Sequence, residues 1–102
     1  MTMNRVIGGK MYDTKTAKCV GTYSYGDPNE PEHYTESLYQ KRTGEFFVYG
    51  KGGPESLYSR TIRMGVCGDW DITPYCDEGA KSWVEQNCNG DTYVKLFGEV
   101  EE

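Results

Sequence analysis

The chain has 102 residues, with 11 Lys and Arg against 16 Asp and Glu, and a formal net charge of −5. Its hydrophobic content of 36% and its nine tyrosines support one small core, rimmed by rings whose hydroxyl ends seek water or a partner. No apolar run approaches the ~20 residues that a bilayer-spanning helix needs, and the first five residues lack an apolar signal region. These features exclude a helical membrane protein and predict a cytoplasmic protein, with residues 1–102 forming a single α+β domain.

Taken in order, Gly8-Gly9 between Arg5-Val6-Ile7 and Lys10-Met11-Tyr12 suits the positive φ angles of a two-residue type I′ turn, so the chain opens on a short hairpin. Residues 17–25 alternate, with Ala17, Cys19, Gly21, Tyr23 and Tyr25 on one side; this reads as a strand with a glycine where something approaches closely. Gly26-Asp27-Pro28-Asn29-Glu30-Pro31-Glu32 then denies both φ freedom and donors, and predicts an exposed acidic loop. Residues 34–53 form the organising hairpin. Leu38 and Tyr39 precede the turn Lys41-Arg42-Thr43-Gly44, and Phe46, Phe47, Val48 and Tyr49 follow it, the densest run of strand formers in the chain. The turn fits type I with a left-handed glycine at its end. Apolar side chains fall on both faces, so either both are covered or one displays aromatics to a partner.

After Gly50-Lys51-Gly52-Gly53-Pro54, residues 55–59 fit one helical turn, Thr61-Ile62-Arg63-Met64 alternates weakly and fits either a strand or a loop, and Trp70-Asp71-Ile72-Thr73 reads as a last short strand ended by Pro74. The main helix runs from Cys76 or Asp77 to Asn87, with acids in its first turn and Ala80, Trp83, Val84 and Asn87 at helical spacing. Asn89-Gly90 stops it. Asp91 then caps a short C-terminal helix bearing Tyr93, Leu96 and Phe97 on one side, before an acidic tail over residues 99–102. The fold class is α+β: a small antiparallel twisted sheet of two hairpins plus a short strand, with the main and C-terminal helices packed on one face. Its core is expected to hold Leu38, Phe46, Val48, Trp83, Val84, Leu96 and Phe97.

Charge is distributed in blocks. Residues 1–26 hold four cations against one acid, residues 27–36 hold four acids and no cation, residues 37–68 five cations against two acids, and residues 69–102 nine acids against two lysines. The chain therefore has a basic front and an acidic back. Tyr39, Lys41, Arg42, Tyr49, Lys51, Arg60 and Arg63 interleave rings and cations as a single-stranded nucleic-acid platform does, although the acidic total opposes long-range steering towards a polyanion. Asp69, Asp71, Asp77, Glu78, Glu85 and Asp91 offer the opposite surface, able to occupy a basic groove on a partner by complementary charge. Asp69 and Asp71, two residues apart on one strand, together with His33, are the only grouping that points to a small hydrolase. The glycine run at 50–53 lacks the following helix of a phosphate loop, because Pro54 comes directly after it. Cys19, Cys67, Cys76 and Cys88 lie far apart and are expected as free thiols. No catalytic residue, metal site or cofactor is assigned.

Three segments together carry a resemblance: Gly9-Lys10-Met11-Tyr12-Asp13-Thr14-Lys15-Thr16-Ala17, then Glu36-Ser37-Leu38-Tyr39-Gln40-Lys41-Arg42-Thr43-Gly44-Glu45-Phe46-Phe47, then Gly50-Lys51-Gly52-Gly53-Pro54. With Ala80-Lys81 and Trp83, and with Phe97-Gly98-Glu99, they resemble a family of small proteins on phages and mobile elements of Gram-positive bacteria. Some small proteins from that setting inhibit CRISPR-Cas nucleases. The resemblance implies a non-enzymatic anti-CRISPR protein, similar to inhibitors of Cas9, that binds a Cas nuclease or its guide-RNA complex in the cytoplasm of the bacterial host. It supplies no motif to carry over residue by residue, and residues 60–69 are particular to this sequence.

Overall fold

A computed structural model describes residues 3–63 and 65–98, with Ile62 described in its backbone only. The acidic tail and Met64 of the expected alternation lie outside the described residues. Seven strands and two helices follow in the order β1 (Asn4–Ile7), β2 (Lys10–Asp13), β3 (Lys18–Tyr25), β4 (Tyr34–Gln40), β5 (Phe46–Gly52), β6 (Ser59–Ile62), β7 (Gly65–Tyr75), α1 (Asp77–Asn87) and α2 (Gly90–Phe97). β3 to β7 form one antiparallel sheet in the order β3-β4-β5-β7-β6, and the class is α+β as expected. β1 and β2 pair only with each other, as a separate two-stranded hairpin laid on the larger sheet. The expected turns are in place, with positive φ at Gly8 (60°), Gly9 (80°) and Gly44 (94°).

The alternation of side chains along the central strands divides the sheet into two faces, each with its own core. Leu38, Phe46 and Val48 point to the helix face and pack on Ala80, Trp83 and Val84 of α1. Phe47 and Ile72 point the other way, to the hairpin face, where Tyr12 of β2 covers them and Tyr39, Tyr49 and Trp70 pack around the margin. Both faces of β5 are thus buried, which is why its sequence reads as an unbroken apolar run. Leu96 and Phe97, expected in the core, are only half-buried, because α2 lies at its margin against Phe46 and α1.

Three local expectations need correction. The residues after Pro54 make turns, not a helical turn. Of the strand and loop left open for the stretch after residue 59, the structure has the strand: Ser59–Ile62 form β6, which pairs with residues 65–68 of β7. Pro74 does not end the last strand, which runs through it to Tyr75 with Pro74 opposite Phe47; proline is tolerated in a strand where its missing amide is not required by the ladder. Asn89, not Asp91, caps α2, its side-chain oxygen accepting from the Thr92 amide at 3.0 Å. At the start of α1, Cys76 Sγ fills the same role towards Gly79 at 3.4 Å. The glycine expected to admit a close neighbour does so: the Cys88 thiol and the Trp83 ring both crowd Gly21 on β3.

A charged clamp holds the β1–β2 hairpin down. Lys10 and Lys41 converge on the Glu45 carboxylate at 2.9 and 3.3 Å, Thr43 donates to it at 3.0 Å, and the Lys41 ammonium sits 4.3 Å from the Tyr12 ring centre. Hydrogen bonds from Lys10, then Thr43 and Lys41, hold the Glu45 carboxyl down at about 2. A folded-state value below the ordinary 4.5 means that this contribution is complete above the ordinary carboxylate range and fades as pH falls towards 2. In an NMR titration Glu45 is expected to have the lowest midpoint of the resolved glutamates. Lys10→Ala should move that midpoint up towards 4.5; a midpoint already near 4.5 in the unmodified protein would contradict the clamp.

Candidate interaction surfaces

The residues expected in a basic aromatic surface separate on folding. Tyr39, Tyr49 and Lys51 project from the hairpin face of β4 and β5. There Tyr39 stacks on Phe47 with centroids 5.3 Å apart, and Tyr49 stacks on Trp70 at 6.0 Å, so both rings already have intramolecular partners. Lys41 is committed to Glu45 and Tyr12, whereas Lys51 is exposed and Arg42 stands on the exposed turn between β4 and β5. Arg60 and Arg63 lie apart from these, on the β6–β7 hairpin and its tip, with Arg60 paired to Asp69 at 3.7 Å.

The acidic set also divides. Asp77, Glu78, Glu85 and Asp91 are exposed on α1 and α2, over the helix face, with Lys81 near Glu78 at 3.9 Å. Asp69 and Asp71 stand on β7, and each meets a guanidinium: Asp69 that of Arg60, and Asp71 that of Arg5, which also lies over the Trp70 ring at 5.0 Å. Asp71 further accepts from the Ile72 amide at 2.9 Å. His33, grouped with these two carboxylates on sequence grounds, is on the loop before β4, where its Nδ1 donates to the Glu30 carbonyl at 2.5 Å. The structure does not gather the three into one site. Among the described residues no three His, Cys, Asp or Glu side chains are arranged to hold a metal ion.

One grouping was not anticipated from sequence. On the helix face, beside α1, rings from two strands and the β5–β6 connection gather around Tyr34. Tyr34 stacks on Tyr25 at 5.2 Å and meets Tyr23 at 6.3 Å and Tyr58 at 6.2 Å. Glu36 braces the row from beneath: its carboxylate accepts from the Tyr58 hydroxyl and, at 3.1 Å, from the Trp83 indole N–H. Burial, followed by the adjacent Glu36 carboxylate, pushes the Tyr58 phenol far above its ordinary value, so its proton stays on and is given to Glu36. Tyr23 and Tyr34 are half-buried and Tyr25 is 49% exposed, so one side of the row faces solvent. The loop that carries Asp27, Glu30 and Glu32 joins Tyr25 to Tyr34, and Lys51 lines the groove beside these two rings. A sequence signal was available: between Lys18 and Lys41 there is no Lys or Arg, but there are four tyrosines and four acids.

These features define a small layered α+β domain that offers surfaces for binding. No known protein family, curated protein or solved structure matches the chain. Among the described residues no helix is long and apolar enough to cross a membrane.

Proposed function

We propose that this protein is a non-enzymatic inhibitor of a host-defence system, an anti-CRISPR protein that binds a Cas nuclease or its guide-RNA complex and acts by occupancy. The observation that carries the reading is the separation of charge across the sheet. Exposed Asp77, Glu78, Glu85 and Asp91 lie over the helix face, while Arg5, Lys10, Lys41 and Lys51 lie on the hairpin face. A two-signed surface of this kind favours a large partner with complementary charge and sets the orientation of docking. The resemblance to small phage proteins supports the same reading. The test is pull-down from cells carrying Cas9 and guide RNA, together with phage plating under active Cas9. Recovery of the nuclease and restored plaques are expected. If neither occurs, the reading is wrong.

A second reading, a single-stranded nucleic-acid-binding module, is favoured by one observation: Tyr39, Tyr49 and Lys51 share a face with Arg5 and Lys41. Gel shifts with single-stranded RNA and DNA at low salt separate the two. A shift abolished by Arg42→Glu and Lys51→Glu supports the second reading, and no shift at micromolar protein removes it.

A further inference from the structure

We infer that the outer edge of β3, over residues 21–25, is a self-association surface. A second copy of this chain pairs there in antiparallel fashion and extends the five-stranded sheet across a two-fold axis.

β3 forms one margin of the sheet and β6 the other. β6 is four residues long, whereas β3 has eight and contains neither a proline nor an acid. Among the described residues, no main-chain amide of residues 18–25 donates outside the ladder with β4. A marginal strand turns alternate N–H and C=O groups away from its one neighbour, which makes it a template for another strand; short length, proline and charge are the usual means of blunting it. On β3 such protection is confined to the start, where Lys18 stands and the register shifts between Cys19 and Gly21. Residues 21–25 pair regularly with β4 on their inner side.

The side chains select a second copy as the occupant. Gly21, Tyr23 and Tyr25 belong to the helix face, and Thr22 and Ser24 to the hairpin face. A two-fold pairing centred on Tyr23 keeps both faces continuous. It sets Tyr23 opposite the partner's Tyr23, Thr22 opposite the partner's Ser24, and Gly21 opposite the partner's Tyr25. Each is a favourable cross-strand pair: ring with ring, hydroxyl with hydroxyl, and ring over glycine. Thr22 and Ser24 are already hydrogen-bonded to Ser37 and Thr35 of β4, at 3.1 and 3.3 Å. A hydroxyl has a donor and two acceptor sites, so the same ladder carries on through the interface. Tyr25 stacks on Tyr34 yet is 49% exposed. Opposite Gly21 it packs against Cys88, which lies over that glycine and, with Tyr93 and Asn89, walls a groove of about 330 Å³.

The two ends of the strand carry opposite charge. Lys18 begins β3, and Asp27 follows its last residue by two. Antiparallel pairing brings each Lys18 towards the partner's Asp27, twice by symmetry, whereas parallel pairing sets like charges together. Pairing of β3 with the β6 margin of another copy is heterologous and generates open chains of molecules, but the two-fold arrangement closes. Because it extends the sheet in its own plane, it leaves the hairpin face and the helix face of each chain uncovered.

Analytical ultracentrifugation of the intact protein, over a dilution series reaching the millimolar range, is expected to show a reversible monomer–dimer equilibrium. Two variants set like charges across the interface: Thr22→Lys combined with Ser24→Lys, and Thr22→Glu combined with Ser24→Glu. Both positions are exposed, and circular dichroism verifies that each variant is folded. Each variant alone is expected to dimerise at least about tenfold more weakly, while an equimolar mixture of the two restores the dimer, because the lysines of one then face the glutamates of the other. Thr61→Lys, on the opposite margin, is expected to leave the equilibrium unchanged. A protein that stays monomeric throughout the series, a dimer that both variants leave intact, a mixture no more associated than its components, or loss of the dimer in Thr61→Lys would overturn the inference. Amide hydrogen exchange of the unmodified protein gives a reading independent of the variants. Within residues 21–25, the amides that do not bond to β4 should gain protection as concentration rises, and protection that does not change with concentration would contradict the pairing.

Discussion

Gly50→Ala is expected to destabilise the fold by about 3 kcal/mol, at the upper end for overpacking a well-filled site. Gly50 is buried on the helix face of β5, and a Cβ built there would overlap the Tyr58 ring. Tyr58 cannot swing aside cheaply, because its hydroxyl is bonded to Glu36 and its ring supports Tyr34. The glycine therefore makes room for the ring that ties the β5–β6 connection to the sheet. Chemical denaturation measures the loss. A double-mutant cycle assigns its cause: in a Tyr58→Ala background, Gly50→Ala should cost less than about 1 kcal/mol, since the space is then open. An equal cost in both backgrounds would show that the glycine is needed for some other reason.

Trp83→Ala is expected to cost about 3–5 kcal/mol, the range for deleting a large buried ring. Trp83 is 5% exposed, sits with Leu38, Val48 and Val84 in the helix-face core, and also reaches Gly21 on β3. Its indole N–H holds Glu36 as well, so its removal loosens the brace beneath the tyrosine row. Trp83→Phe separates the two roles: it keeps most of the packing and removes one donor to a half-buried carboxylate, at about 1 kcal/mol. If Trp83→Phe proves as damaging as Trp83→Ala, the hydrogen bond and not the packing dominates.

The parts of the fold that were legible in sequence are those in which one local rule acts alone. Gly8-Gly9 and Gly44 announce their turns through a conformation few other residues adopt, and β4, β5 and α1 through apolar spacing. The β6–β7 hairpin was not legible, because Ser59, Arg60 and Thr61 opposite Val66, Cys67 and Gly68 leave no apolar face to alternate. Pro74 misled for a similar reason, as local preference says nothing about which amides the neighbouring strand requires. At the N-terminus of α2, Asn89 and Asp91 are both good caps, and the geometry alone shows which one accepts from Thr92.

The candidate surfaces follow the same pattern. Interleaving along the sequence groups Tyr39, Tyr49 and Lys51 with Lys41, Arg42, Arg60 and Arg63, but it cannot reveal that only the first three project from one face of β4 and β5 or that Phe47 and Trp70 occupy the two rings. The tyrosine row is harder still to anticipate, since Tyr58 comes from the connection after β5 and meets Tyr34 only because Gly50 leaves room. Its trace in the sequence is compositional: a long cation-free stretch rich in tyrosine and acid, which carries no spacing that would bring Tyr58 to it.

Occupancy, as opposed to turnover, is the central claim about function, and a titration of this protein into a fixed amount of guide-loaded Cas9 tests it most directly, with single-turnover DNA cleavage as the readout. The expected result is inhibition that rises in proportion to added protein and is complete at about one molecule per nuclease, as for a tight binder that is not released. Unimpaired cleavage in the presence of a large excess would contradict the claim, as would complete inhibition at amounts far below equimolar.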